Sequence, residues 1–378
     1  MRNPAPRSAF LAIAPACDGR RTSIINAART LRLLAGLVLA STALAPEVRA
    51  QSERKTLSGS SVAIYNLAGN VSVESGRGSD VVVEVTRRGS DARELRVETS
   101  EIGGRQTLRV VYPDDDIIFS GRRDSWGSTE VQVNDDGTWG GKRWRGGRKV
   151  RIRSRGRGTE AWADVRILVP EGKSVAAYVA VGELSANNVN GNFTIDCGSG
   201  RTTAANVRGS LSVDVGSGGV NVRDSDLDQL TIDTGSGGVS LSRVTALRCV
   251  IDTGLGGVQG DNASCDELSV DVGSGGVRFV DSRSSAIRVD AGRGTVSMTL
   301  RNSPRSVNIE SGSGGVLLGV PGSLSADIDI ETGSGGIETD FMLRTTRVER
   351  NHVRGVIGDG AGRIRIETGS GSVTLRRN

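Results

Sequence analysis

From about residue 190 the hydrophobic and polar positions alternate strictly, break at a glycine turn, and alternate again. Leu211, Val213 and Val215 alternate with Ser212 and Asp214 before the turn Gly216-Ser217-Gly218-Gly219. Val220 and Val222 then alternate with Asn221 and Arg223. A period of two is the signature of a half-buried strand. A polar link, Asp224 to Gln229, leads to the next copy. The first turn glycine recurs at 198, 216, 235, 254, 273, 292, 312, 333 and 369, in steps near 19 residues and one final step of 36. A fixed period over nine copies means a stacked array. Two strands and a link per 19 residues are too little for a propeller blade, and the Leu/Asn pattern of leucine-rich repeats is missing. The pattern predicts an all-β parallel β-solenoid (β-helix), each ~19-residue coil adding one rung at ~4.8 Å.

Stacking predicts inward columns: Leu211, Leu230, Cys249, Leu268 and Ile287; Val213, Ile232, Ile251, Val270 and Val289; Val220, Val239, Val258, Val277 and Val296. Two turn positions never vary. They are the pairs Gly216/Gly218, Gly235/Gly237, Gly254/Gly256, Gly273/Gly275, Gly312/Gly314 and Gly333/Gly335, with the same pair in the other copies. Such fixity requires positive φ or a neighbouring rung too close for a Cβ. The residue between them varies among Ser217, Leu255 and Arg293 and is expected to face solvent. A phosphate cradle needs a helix after its glycines, whereas a strand follows here, so nucleotide binding is discounted.

One copy reads Thr231-Ile232-Asp233-Thr234-Gly235-Ser236, the form of an aspartic-protease motif. The other copies remove that reading. The residue two before the first glycine is acidic in all nine: Asp196, Asp214, Asp233, Asp252, Asp271, Asp290, Glu310, Glu331 and Glu367. The residue after it changes freely among Cys197, Val215, Thr234, Ala291 and Ser311. A protease dyad needs two carboxylates from separate lobes sharing a proton. Here they form an outward row, each repelling its neighbour by about 1 kcal/mol even in water. Turn N–H groups and nearby arginines (Arg223, Arg278, Arg288, Arg365) are the simplest offset. A Ca²⁺ site along Asp214, Asp233, Asp252 and Asp271 is the weaker reading. No cofactor is implied.

The region before the repeats carries strand patterns at 61–85, 106–112 and 163–170, with Pro113 to Asp116 read as a turn. Between them lies a basic stretch. Gly137 to Gly158 holds Lys142, Arg143, Arg145, Arg148, Lys149, Arg151, Arg153, Arg155 and Arg157 without an acid, interleaved with Trp139 and Trp144. Cations with aromatics can hold an anionic polymer, so Lys142, Arg143, Trp144, Arg145, Arg148, Lys149, Arg151 and Arg153 form a candidate anion site. The simpler alternative is a solvated glycine-rich loop beside a hairpin that uses Val150, Ile152 and Trp162. His352 has no second histidine or nucleophile partner nearby in the sequence and reads as a satisfied surface residue.

Composition then changes one conclusion. The chain has 48 basic and 43 acidic residues, but residues 1–50 carry seven and two of these. Those fifty residues run from an arginine-containing region through the apolar stretch Leu33 to Ala45 to Val48-Arg49-Ala50, the order of a secretory signal. About 13 apolar residues are short for a membrane span. Cleavage after Ala50 leaves 41 basic and 41 acidic residues, and the case for nucleic-acid binding disappears with the charge. Three cysteines remain, Cys197, Cys249 and Cys265, an odd number that leaves at least one as a thiol. Cys249 takes a leucine's place in its column and reads as core filler. A Cys249–Cys265 bridge is open, though column alignment does not point to it.

From Gly69-Asn70-Val71-Ser72-Val73-Glu74-Ser75, through the block Val165 to Gly191, to the closing stretch Gly362 to Leu375, the chain resembles a bacterial "putative adhesin" family defined as a domain of unknown function. The resemblance implies an exported strand-rich domain and brings no catalytic residues. The stretch 120–160 departs from its pattern. The expected organisation is a signal at 1–50, a strand-rich part at 51–170 and solenoid repeats at 171–378. The expected function is a non-enzymatic envelope or surface binding scaffold in the periplasm, at the surface or secreted. Its partner would be an anionic envelope polymer or a cell-surface molecule, not nucleic acid. No integral span remains after signal removal. The alternative is a polysaccharide-active β-helix enzyme, lyase or hydrolase. Against it, residues 171–378 hold no tryptophan and a single tyrosine, Tyr178. Open solenoid ends expose strand edges, so capping by the N-terminal part or self-association is expected.

Overall fold

A strand whose alternate residues are aliphatic buries them only if a like strand lies above and below. In the computed structural model, which describes residues 51–121, 127–140 and 147–378, the repeats do this in register. Leu184–Ser199, Thr202–Ser217, Val220–Thr234 and Val239–Thr253 pair in parallel, one above the next. Ile195, Val213, Ile232, Ile251, Val270, Val289 and Ile309 form one column, each no more than 1% exposed. The columns through Leu211 and Val220 are buried as expected. The molecule is a parallel β-solenoid; one 3₁₀ turn, Ala92–Glu94, is the only helical element among the described residues.

The polar link is not a loop. Val220–Thr234 is a single strand that passes through Asp224 to Gln229, and within it Ser225 and Leu227 are buried. Asp224 takes φ +53°, a left-handed corner that re-phases the alternation. Asn188, Asn206, Arg243, Asn262 and Asp281 hold the same corner in other coils, at φ +51° to +56°. Asn and Asp visit this region most readily because their short polar side chains bond locally. Asn206 donates to the Asn188 Oδ1 at 3.0 Å, and Arg243 Nε to the Asp224 Oδ1 at 2.6 Å.

Chain order and spatial order part company at the far end. Gly362–Thr368 and Val373–Arg377 do not add a terminal rung. They slot between Ser306–Ser311/Val316–Val320 on one side and Ala326–Thr332/Ile337–Thr339 on the other. Residues between the two last turns form a hairpin, Arg344–Val348 with His352–Ile357, and the second strand pairs antiparallel with Ala326–Thr332. His352 Nε2 lies 2.8 Å from Asp329 Oδ1 and ties the hairpin down.

At the other end, Ser61–Ala68 pairs with Lys173–Val181 and Val71–Ser75 with Leu184–Ser199, so the strands before residue 170 continue the same sheet. Antiparallel strands Gln51–Leu57, Val81–Arg88 and Arg96–Ile102 close it. Antiparallel pairs at both ends blunt the open edges of a parallel stack. The basic stretch folds into a separate four-stranded sheet, ordered Thr159–Glu160, Asp116–Ile118, Arg148–Arg153, Ser128–Val133. Val150 and Ile152 are buried in its hairpin as their pattern suggested, but Trp162 is not part of that hairpin: it opens Trp162–Val169, a strand of the main sheet paired with Val81–Arg88.

Cys249 and Cys265 form a disulfide with Cα atoms 5.8 Å apart. Cys249 is therefore a cross-link and not simply core filler. Column alignment did not point to the bond because it is diagonal: Cys249 stacks on Leu268, while Cys265 stacks on Ala246, a different column of the adjacent rung. Cys197 is a buried thiol with Sγ 3.6 Å from the Gly182 carbonyl oxygen. Closing a loop of this length removes unfolded-state entropy worth about 3 kcal/mol. Urea unfolding with and without reductant should differ by about that amount, and a Cys249→Ala/Cys265→Ala chain should lose the difference.

Candidate functional site

The carboxylates form one straight file. Asp196, Asp214, Asp233, Asp252, Asp271, Asp290, Glu310, Glu367 and Glu331 are successive register partners. From Asp214 to Asp271, and at all three glutamates, the file faces solvent. The spatial order places Glu367 before Glu331, following the inserted coil.

The turns beside this file explain their glycines, and they decide between the two causes that the repeat allowed. Positive φ is not the general one. Among the invariant turn glycines only Gly200, Gly218 and Gly294 take it, at +157°, +143° and +111°. Gly237, Gly256, Gly275, Gly314 and Gly335 do not, and neither do the first-position glycines from Gly216 to Gly333, so the left-handed explanation is corrected for them. Close approach of adjacent rungs is the shared cause. A Cβ on Gly237 would lie 1.6 Å from the Gly218 carbonyl oxygen, and one on Gly256 1.9 Å from that of Gly237. Gly275 repeats this at 2.2 Å from the Gly256 oxygen, Gly314 at 1.7 Å from that of Gly294, and Gly335 at 2.0 Å from that of Gly371. The first position is nearly as tight, at 2.4 to 2.7 Å for Gly198, Gly216, Gly235, Gly254, Gly273, Gly292 and Gly312, and 2.1 Å for Gly333.

The other turn positions are looser. A Cβ on Gly219, the fourth residue of its turn, meets nothing nearer than 3.6 Å, which fits the Arg201, Thr295 and Ser372 found there. Leu255, at the second position, is 69% exposed. Thr234 points inward and is buried; its hydroxyl accepts the Gly237 N–H at 3.0 Å. Ser311 and Thr368 accept from Gly314 and Gly371 in the same way. In this Asp-Thr-Gly-Ser the threonine closes a turn and the aspartate points away from it.

The file continues past its first carboxylate into aromatics. Tyr178 is the register partner of Asp196, and Tyr65 of Tyr178. The two rings stack with centroids 4.3 Å apart and planes 4° apart. Trp139 packs edge-on against both, at 6.4 and 6.0 Å. Gly140 follows directly over Asp196: a Cβ there would be 2.8 Å from Asp196 Oδ2. At this end Gly140 lies against Asp196 and Trp139 against the two tyrosines. Burial pushes the Asp196 carboxyl up to about 7, with the Asp214 charge adding in the same direction. Asp214 is raised by its own burial first and the Asp233 charge second. Sequence reasoning missed this aromatic end, although one coil length before Asp196 falls on Tyr178, the only tyrosine of the repeat region.

Among the described residues, no group of three or more His, Cys, Asp or Glu side chains is placed to hold a metal ion. A single file gives a cation two neighbouring carboxylates, fewer than the six to eight oxygens that calcium takes.

Of the candidate anion-binding residues, Lys142, Arg143, Trp144 and Arg145 lie outside the described residues. The other four are each paired with an acid from a flanking strand or turn. Arg148 meets Asp115 at 2.9 Å, Lys149 and Arg151 share Glu130, and Arg153 meets Asp116 at 2.5 Å. Asp115 lies at a bend after Pro113, while Asp116, expected in the turn, opens the strand Asp116–Ile118 and pairs with the basic strand at Arg151. Asp114 accepts from Thr159.

The fold is thus a parallel solenoid with glycine turns and one acidic register position in nine of its coils. Residues 142–376 match the family model described as Toastrack DUF4097, and the chain belongs to that family, whose function is unassigned. Among solved structures, a chain described as a "putative cell adhesion protein" from Clostridium sporogenes resembles this one at 12% identity and a TM-score of 0.22, over 87% of this chain and all of that one. No curated protein matches.

Proposed function

We propose that the protein is an exported envelope or surface scaffold of the adhesin type, which binds a repeating polar surface polymer and does no chemistry on it. The observation that carries this reading is the ladder: one outward position is acidic in nine stacked coils of a rigid frame. Rigid repetition suits a ligand that itself repeats. Export is supported by the leader-like first fifty residues and by the Cys249–Cys265 bridge, since such bonds persist in oxidising compartments. The test is a glycan and polyanion array probed with the full chain and with a deletion of 137–158, alongside fractionation of the producing cells. Retention that falls on deletion places binding in the basic sheet; retention unchanged places it on the solenoid. A cytoplasmic protein that binds nothing on the array sinks the scaffold reading.

A second reading, a polysaccharide-active enzyme, has one observation in its favour. Asp196 keeps its proton to about pH 7, as a general acid must. The close approach of Gly140 to its carboxylate weighs against access. Release of reducing ends from acidic polysaccharides, lost in Asp196→Asn, would establish the enzyme and displace the scaffold.

A further inference from the structure

A hollow of about 460 Å³ opens on the solenoid flank, beside the acidic ladder but not including it. Its lining combines aliphatic Val250, Leu268, Ile287 and Val307 with the short side chains Ser269, Ala286 and Ser306 and with Arg248, Arg288, Arg363 and Arg365. Register fixes their order along the axis. One file runs Arg248, Glu267, Ala286, Ser306, Arg363. Its neighbour runs Val250, Ser269, Arg288, Asn308, Arg365. Arginines therefore stand on the first, third and fifth rungs, ~10 Å apart at two rungs each. Glu267 occupies the second rung, and Ser306 with Asn308 the fourth. Arg248 is paired to Glu267 at 2.6 Å and Arg365 to Glu367 at 3.2 Å. Among the described residues Arg288 and Arg363 have no ion pair. These exposed guanidiniums present the forked donors that planar carboxylates accept. Arg363 and Arg365 also line an adjoining hollow of about 680 Å³ against the hairpin, where Asp327 and Asp329 stand beside Arg347 and Arg354.

We propose that this groove holds a linear acidic glycan along the solenoid axis, one with a carboxylate on alternate sugars. An extended pyranose chain advances by roughly one rung height per sugar. Arginines on alternate rungs then meet alternate acids. Glu267 and Asn308 meet the hydroxyls of the neutral sugars between them. A polymer charged on every unit would set an acid against Glu267. That rung offers the extra acid no unpaired cation, and like charges there reject it. The proposal rests on the scaffold reading and names its ligand class.

The full chain is titrated with three probes: a hyaluronan octasaccharide, acidic on alternate sugars; an oligogalacturonate, acidic on every sugar; and a neutral chitin oligosaccharide. Hyaluronan should bind best. Arg288→Ala/Arg365→Ala should weaken it by about tenfold or more for each guanidinium, the usual cost of a lost charge-assisted pair. Arg288→Lys/Arg365→Lys should recover only part of this, because an ammonium lacks the fork. Glu267→Gln should improve oligogalacturonate binding. The proposal is overturned if the Ala double variant binds hyaluronan as the wild type does, if oligogalacturonate binds as tightly as hyaluronan, or if none of the probes binds. In the first case the scaffold reading stands with its site elsewhere. That reading fails only on the array and the fractionation.

Discussion

Asp196→Asn should stabilise the protein at pH 8 by up to about 4 kcal/mol and leave its stability at pH 4 nearly unchanged. The folded carboxyl titrates near 7, above its ordinary value of 3.8, because burial beneath Gly140 penalises the charge and Asp214 repels it. A carboxyl raised on folding binds its proton more tightly in the native state. Its stabilising effect is therefore present at low pH and lost as the pH rises from about 4 through 7. A rise of that size corresponds to about 4 kcal/mol, an upper bound for a group that is only partly buried. Chemical unfolding at pH 4, 6 and 8 measures this as a difference between variant and wild type, which cancels the shift of Asp214 in the same direction. Parallel stability curves for the two chains would show that Asp196 is no more sheltered than the rest of the ladder.

Gly237→Ala should cost about 3 kcal/mol or more, while Gly219→Ala, at the fourth position of the preceding turn, should stay within about 0.5 kcal/mol. The contrast rests on space alone, since neither glycine takes a positive φ. A Cβ on Gly237 would overlap the Gly218 carbonyl oxygen at 1.6 Å, so two rungs must separate and their ladder hydrogen bonds lengthen. A Cβ on Gly219 meets its nearest atom at 3.6 Å, an ordinary contact. Urea unfolding of the two variants checks the pair. Equal losses would mean that glycine serves backbone freedom throughout the turn and not the approach of neighbouring rungs.

Much of this architecture is legible in the chain because two periodicities coincide. Alternation puts Val213 and Ile232 inside and Asp214 and Asp233 outside, and the repeat stacks each on its counterpart. The internal copies also act as a substitution record, separating Gly235 and Gly237 from the variable Ser236. That record shows that glycine is required but not why, because backbone freedom and a crowding neighbour leave the same trace. What escapes altogether is whatever joins positions that the repeat does not relate. The acids that neutralise Arg148, Lys149, Arg151 and Arg153 are Asp115, Asp116 and Glu130, which lie outside the basic stretch. The disulfide crosses between columns. Trp139 reaches Tyr65 and Tyr178 from a segment that belongs to no coil. The arginine groove is invisible to a single-column reading because its rim draws on two files and five rungs.

The rung formed by Gly362–Thr368 and Val373–Arg377 has a consequence for how the molecule is made. A ribosome or an export channel delivers the chain from its beginning, so the coils up to Val316–Val320 can zip together as they emerge. Ala326–Thr332 arrives next but has no permanent parallel neighbour, since its seat is on a rung still to be synthesised. Ala326–Thr332 and the hairpin paired to it join the stack through Gly362–Thr368, the rung between them and Ser306–Ser311. The order of synthesis and the order of stacking thus differ at the close, and a chain cut short before residue 362 would lack an inner layer while keeping its outer one.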